Sequence, residues 1–315
     1  MKKLLAFLIT TMLAVTLVGC QSNQQQTSRS EQSSGREITA SQLPHLDYQV
    51  GRQAVIEVNG NKSTLNPADW KQNQIQYAAL DAKNRTSAAN TAYLESRNVA
   101  SSSLRSRQTV YPTGWHQKFI NNEAIINRGH LIAYSLSGGI NTDGDYQAGL
   151  KTGDQNNLKN LFTQSAFSNQ KLQTIYETLV RNALKDHRKV IYQAQPIFRG
   201  NDLMARGIHL QALSTDRKLN FNVYLFNVQP GVKFDYATGR SKVDHTMNVP
   251  APANASYYSG GHRQTSSVGA ILGAYGAYKT YQHYRNRKAE TDFSSTSSHR
   301  TYHYRTNHHR TYHRR

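Results

Sequence analysis

Apolar residues along this chain fall in short blocks divided by polar, Gly/Asn-rich stretches, and the spacing inside the blocks changes. Leu172, Ile175, Tyr176, Leu179, Val180, Ala183 and Leu184 recur at i, i+3, i+4, i+7, i+8, i+11 and i+12, which predicts one amphipathic helix. Ala54–Val58 predicts a strand closed by the turn residues Asn59-Gly60-Asn61, and Val190–Phe198 and Phe221–Val228 predict two more. Asn66-Pro67 has the form of a helix N-cap followed by proline at the first helical position. Tyr111-Pro112-Thr113-Gly114-Trp115 is turn chemistry beside bulky aromatics. Ala124–Ile126 and Leu131–Ala133 flank a polar tetrapeptide, predicting a strand that runs into a loop, and Ser137–Asn157 is read as an exposed loop. Strands and helices do not alternate regularly, so the pattern is α+β, with one domain over residues 46–250.

The two ends differ from this core. Lys2 and Lys3 precede an apolar run from Leu4 to Val18, the length of a signal-peptide core and short for a membrane span. It ends Leu17-Val18-Gly19-Cys20, which resembles the bacterial lipoprotein cleavage box. Residues 1–20 are therefore expected to act as a lipoprotein signal, with lipidated Cys20 fixing the exported chain to the outer face of the membrane. Cys20 is the only cysteine, so no disulfide within the chain is expected. Residues 21–45, Gln/Ser-rich at their start, are expected to be a disordered linker. Residues 251–315 form a basic tail: from 253 onward, ten Lys/Arg face two acids, and seven of the thirteen histidines are there. Arg300-Thr301-Tyr302-His303 recurs as Arg310-Thr311-Tyr312-His313, a small repeat in a segment read as disordered.

Charge narrows the partners. Lys plus Arg number 38 against 19 Asp plus Glu, for a net charge of +19. So basic a chain calls for a polyanion, whether nucleic acid, anionic lipid or wall polymer, and the tail is expected to contribute to that contact. Charge says nothing of catalysis.

The chemistry sits in Asn127-Arg128-Gly129-His130, with Asn160, Asn169 and Glu177 downstream. Hydrolysis of a phosphodiester needs a base near neutral pH and a hard cation against the phosphate charge. Histidine suits the first task. Magnesium suits the second, since it takes few protein ligands; an asparagine oxygen leaves its charge undiminished.

The tetrapeptide resembles the Asp-Arg-Gly-His motif of the DNA/RNA non-specific endonucleases, which have the ββα-metal fold with an antiparallel sheet. The run Gln164–Gln170, with Glu177 eight residues beyond Asn169, and Pro112–Gln117 ahead of the motif are also similar to that family, to streptococcal DNA-entry nucleases in particular. The likeness covers roughly residues 50–245. It implies an extracellular endonuclease cutting DNA and RNA without sequence specificity, with magnesium, or manganese in its place. His130 would be the general base, Asn169 the direct metal ligand, Glu177 a support of the metal's water shell, and Asn160 a residue shaping the site. Asn127 replaces the family aspartate, keeping its shape and losing its charge.

Helical geometry adds one expectation. On an unbroken α-helix Asn169 and Glu177 stand about 80° apart around the axis and roughly 12 Å apart along it, so only one could ligate directly. Plainer roles stand beside these: Asn169 as a helix-start residue, Glu177 as the i, i+4 partner of Arg181, and Arg128 as either a phosphate contact or a brace of its loop. His116, His209 and His245 lack a partner set and are read as structural or exposed. A rival function is a non-catalytic surface receptor for DNA or anionic wall polymer; metal capture by the histidine-rich tail ranks below it.

Overall fold

The computed structural model describes residues 37–101, 108–150, 153 and 156–252. The leader with Cys20, residues 21–36 of the linker and the tail from 253 lie outside them. Twelve strands are described: β1 (Val55–Glu57), β2 (Gln74–Gln76), β3 (Asn90–Leu94), β4 (Phe119–Ile120), β5 (Glu123–Ala124), β6 (Ile126–His130), β7 (Leu161–Ser165), β8 (Val190–Ile197), β9 (Gly207–Ser214), β10 (Asn220–Phe226), β11 (Val232–Asp235) and β12 (Arg240–Val243). Six of them pair antiparallel in the order β1-β10-β9-β8-β3-β2; the others form the two-stranded ribbons β4-β5, β6-β7 and β11-β12. Among the described residues no helix is long and apolar enough to cross a membrane.

The amphipathic run forms the long helix, α1 (Thr174–Lys185), and it lies on the central sheet. Tyr176 tilts against Phe221 with ring centroids 5.1 Å apart, and Phe221 meets Tyr192 edge-on at 6.5 Å. Val180 and Leu184 are fully buried in the same core, each stabilising the fold by about 1.5–3 kcal/mol. The expected face is thus the buried one.

Four expectations are corrected. The helical path begins at Ala166, and Ser168–Gln173 is a π turn leading into α1. The domain starts before residue 46: Leu43 is completely buried, Asn59 N donates to the Ile38 carbonyl, and the Arg199 guanidinium reaches the Pro44 carbonyl at 2.7 Å. Asn66 does cap, its side chain accepting from Ala68 N, but Pro67–Asp69 is a single 3-10 turn, not a helix. Residues 137–140 are buried although Ser137–Asn157 reads as exposed; Asn98 exchanges hydrogen bonds with Gly138 through its carbonyl and side chain, pinning the segment.

β9 has no counterpart among the expected strands. Its alternation puts Ile208, Leu210 and Ala212 in the core, while His209 and Gln211 occupy the other face. That second face is covered too: Gln211 Oε1 accepts from Ser63 Oγ, Thr64 N and Thr64 Oγ1. A strand covered on both sides can bury polar residues only where each has a partner.

Candidate active site

β6 and β7 form an antiparallel ribbon in which Ile126 faces Ser165, Asn127 faces Gln164, Arg128 faces Thr163, Gly129 faces Phe162 and His130 faces Leu161. Asn227, fully buried at the end of β10, sews it to the sheet by accepting from Ser165 N at 2.7 Å and donating to the Thr163 carbonyl at 3.0 Å. Two side-chain amides grip the backbone at the start of β6 and just past its end. Gln117 bonds both the N–H and the carbonyl of Ile126, and Asn160 bonds both those of Ile132 at 2.9 and 3.0 Å. Asn160 is fully buried and both ends of its amide are engaged this way, so what it holds is the backbone just past His130.

Side chains alternate along a strand, so Arg128 and His130 share one face of β6 and Asn127 and Gly129 the other. The glycine is required. A first side-chain carbon at 129 would lie 2.7 Å from Gln164 Cβ and closer still to its amide oxygen. Asn127 Nδ2 and Gln164 Oε1, on paired residues, are both buried and have no hydrogen-bond partner among the described residues.

On the other face Arg128 is held by three groups. Its Nε donates to the Val110 carbonyl at 2.7 Å, and its guanidinium carbon lies 4.3 Å from the Tyr111 ring centroid and 4.8 Å from that of Trp115. His130 is half-buried, with the Gln108 amide nitrogen 3.4 Å from its Nε2.

Gln173 ties this strand to the helix. Fully buried, its Nε2 donates to the His130 carbonyl at 2.7 Å and to Glu177 Oε1 at 2.9 Å, while its Oε1 accepts from Gln164 Nε2 at 2.9 Å. Glu177 is itself buried, near enough to the sheet that its charge, after burial, helps push the Tyr192 hydroxyl well above its usual value. Arg181, considered above as its ion-pair partner, reaches Ser135 Oγ at 2.6 Å.

Asn169 sits in the π turn, half-buried, and its side-chain amide makes no hydrogen bond to a described residue. The turn alters the expected geometry. One residue more per turn rotates everything beyond it back by about 100°, so the 80° offset falls to roughly 20° and Asn169 and Glu177 face the same way. They stay about two turns apart along the axis. No three His, Cys, Asp or Glu side chains gather among the described residues, so a cation at Asn169 would rely on its amide oxygen, with Glu177 two turns away reaching it only through water, as magnesium allows.

Residues 36–260, which include this ribbon and helix, match the DNA/RNA non-specific endonuclease family. The chain belongs to that family. Its chemistry is therefore hydrolysis of phosphodiester bonds. NucA from Streptococcus agalactiae, solved with no metal bound, is 30% identical over 62% of this chain and 90% of its own, with a TM-score of 0.52. The same nuclease with a magnesium ion bound has the same identity and coverage, with a TM-score of 0.53.

Of the expected site residues, the endonuclease ribbon brings Arg128 and His130 to one strand face; the π turn and α1 carry Asn169 and Glu177; Asn160 lies behind, gripping Ile132. His116 and His245 are exposed, and His209 is buried in the sheet. Sequence reading passed over Gln173 and gave Gln164 no role beyond opening the family-like run. The available signal was spacing: Gln173 precedes Glu177 by four residues, where helical side chains meet.

Proposed function

We infer that this endonuclease is an exported, magnesium-dependent enzyme that cuts DNA and RNA without sequence preference. The observation that carries the reading is the Gln173 bridge, which joins the His130 strand end to the helix bearing Asn169 and Glu177. His130 takes the proton of a water as its oxygen attacks phosphorus. The bond to the departing sugar oxygen then breaks, and that oxygen is protonated from solvent. Asn169 would hold magnesium directly, supported by Glu177, and the ion when bound would supply positive charge against the phosphate. Arg128 presents its terminal nitrogens, which bond no described residue, to the same polyanion. Contacts of this kind go to phosphate and carry no base identity, which supports indifference to sequence. A magnesium-bound relative supports the choice of metal. Leu17-Val18-Gly19-Cys20 supports anchoring through lipidated Cys20 on the outer face of the membrane, and the surplus of positive charge after residue 253 supports a tail that holds polyanions.

Nicking of supercoiled plasmid by the exported chain tests this reading. Cleavage should need magnesium or manganese, stop with EDTA and return when the ion is restored in excess. Tight binding without nicking in either metal would favour a receptor.

A further inference from the structure

Tyr111 is the most conspicuous residue near the site that the reaction does not use. It is 61% exposed, beside an arginine and a tryptophan on the surface of a strongly basic protein. Arg128 lies 4.3 Å from its ring centroid, and Trp115 stands 5.7 Å away at 59°.

The turn that carries these rings is fixed. Thr163 Oγ1 on β7 donates to the Thr113 carbonyl at 2.7 Å, Pro112 is buried, and Gly114 adopts φ +68° where a side chain would strike the Leu203 backbone. Arg128 is tethered to the Val110 carbonyl, so the three planar groups form one platform. It belongs to the catalytic face: Arg128 and His130 are two residues apart on one side of β6, about 7 Å. The indole N–H of Trp115 and the terminal nitrogens of Arg128 bond no described residue, leaving donors at the rim. An aromatic face beside a cation accepts any base, because every base has a π-face, and it does so only when that base has left its duplex stack.

We propose that Tyr111, backed by Arg128 and Trp115, is a stacking subsite for an unpaired nucleobase adjoining the phosphate that His130 addresses. The inference rests on the nuclease reading and deepens it: the preferred substrate is single-stranded or locally opened nucleic acid, with no preference for one base over another.

The test compares the exported chain with Tyr111→Ala and Tyr111→Phe, using a labelled single-stranded DNA oligonucleotide, its duplex, and a strand of abasic sugar-phosphate units. Anisotropy in EDTA measures binding apart from turnover. Tyr111→Ala should weaken single-strand binding by about tenfold, leave duplex and abasic binding within twofold, and raise KM far more than it lowers kcat. Tyr111→Phe should bind like the parent. Equal losses on the abasic and normal strands, or no loss on either, would overturn the stacking subsite. Failure of the parent chain to nick plasmid would instead overturn the nuclease reading, while the EDTA arm still decides whether Tyr111 stacks on bases.

Discussion

Gln173 donates from one amide nitrogen to the backbone carbonyl of His130 at 2.7 Å, and from the same nitrogen to Glu177 at 2.9 Å. The proposed base and the proposed support of the metal are thereby set by one fully buried side chain. Gln173→Met keeps the volume and removes the bridge. It should cost about 1–3 kcal/mol of stability and lower kcat by at least tenfold. Urea unfolding and single-turnover cleavage separate the two effects; wild-type kcat in a folded variant would show that Gln173 only packs.

His130 and Asn169 carry different parts of the proposed reaction and should fail differently. His130→Ala should lose about 10²–10⁴ in rate at saturating magnesium, with partial recovery in added imidazole. Asn169→Ala should shift the magnesium needed for half-maximal rate upward, with no rescue by imidazole. Calorimetric titration with magnesium checks the second without relying on turnover. If His130→Ala moved the metal dependence and Asn169→Ala did not, the two assignments would have to be exchanged.

Gly129 follows from packing. Gly129→Ala places a carbon against the buried Gln164 side chain, whose Nε2 is already committed to Ser168 and Gln173. Overpacking of this kind should cost about 1–3 kcal/mol, with activity falling further as Gln173 is displaced. Gln164→Ala should partly restore the stability of Gly129→Ala by vacating the space. A double variant no more stable than Gly129→Ala alone would mean that the clash lies elsewhere.

The helix and the His130 strand were legible because their signals are local: apolar residues at helical spacing from Leu172 to Leu184, and a compact tetrapeptide ending in His130. The π turn was not legible, because Ser168–Gln173 has no residue type that demands it, and its effect is a rotation that spacing alone cannot show. β9 is a different case. Its Ile208, Leu210 and Ala212 alternate with His209 and Gln211, a strand signal that the reading missed; what alternation could not show is that the loop carrying Ser63 and Thr64 covers the polar side. Leu43 shows the same limit in the linker, where one buried leucine in a polar stretch decides the domain boundary. Burial supplied by distant chain leaves little trace in the segment it covers.

His209 gives the fold a pH dependence of its own. It is buried in β9, and its Nε2 donates to Asn222 Oδ1 at 2.6 Å. Burial lowers the imidazole below its ordinary value, and the bond to Asn222 opposes this only in part. The folded protein therefore takes up this proton at a lower pH than the unfolded chain does. The unfolded state holds more protons across the interval, so stability rises with pH there. The contribution is fully present above about pH 6.5, and it is lost as pH falls from there toward the folded-state value. Its slope cannot exceed about 1.4 kcal/mol per pH unit for one proton. His209→Gln keeps a donor to Asn222 without the titration. It should be somewhat less stable at pH 7.5 and visibly flatter between pH 7 and 5, measured as the urea midpoint across that range. An unchanged slope would place the acid sensitivity on another group.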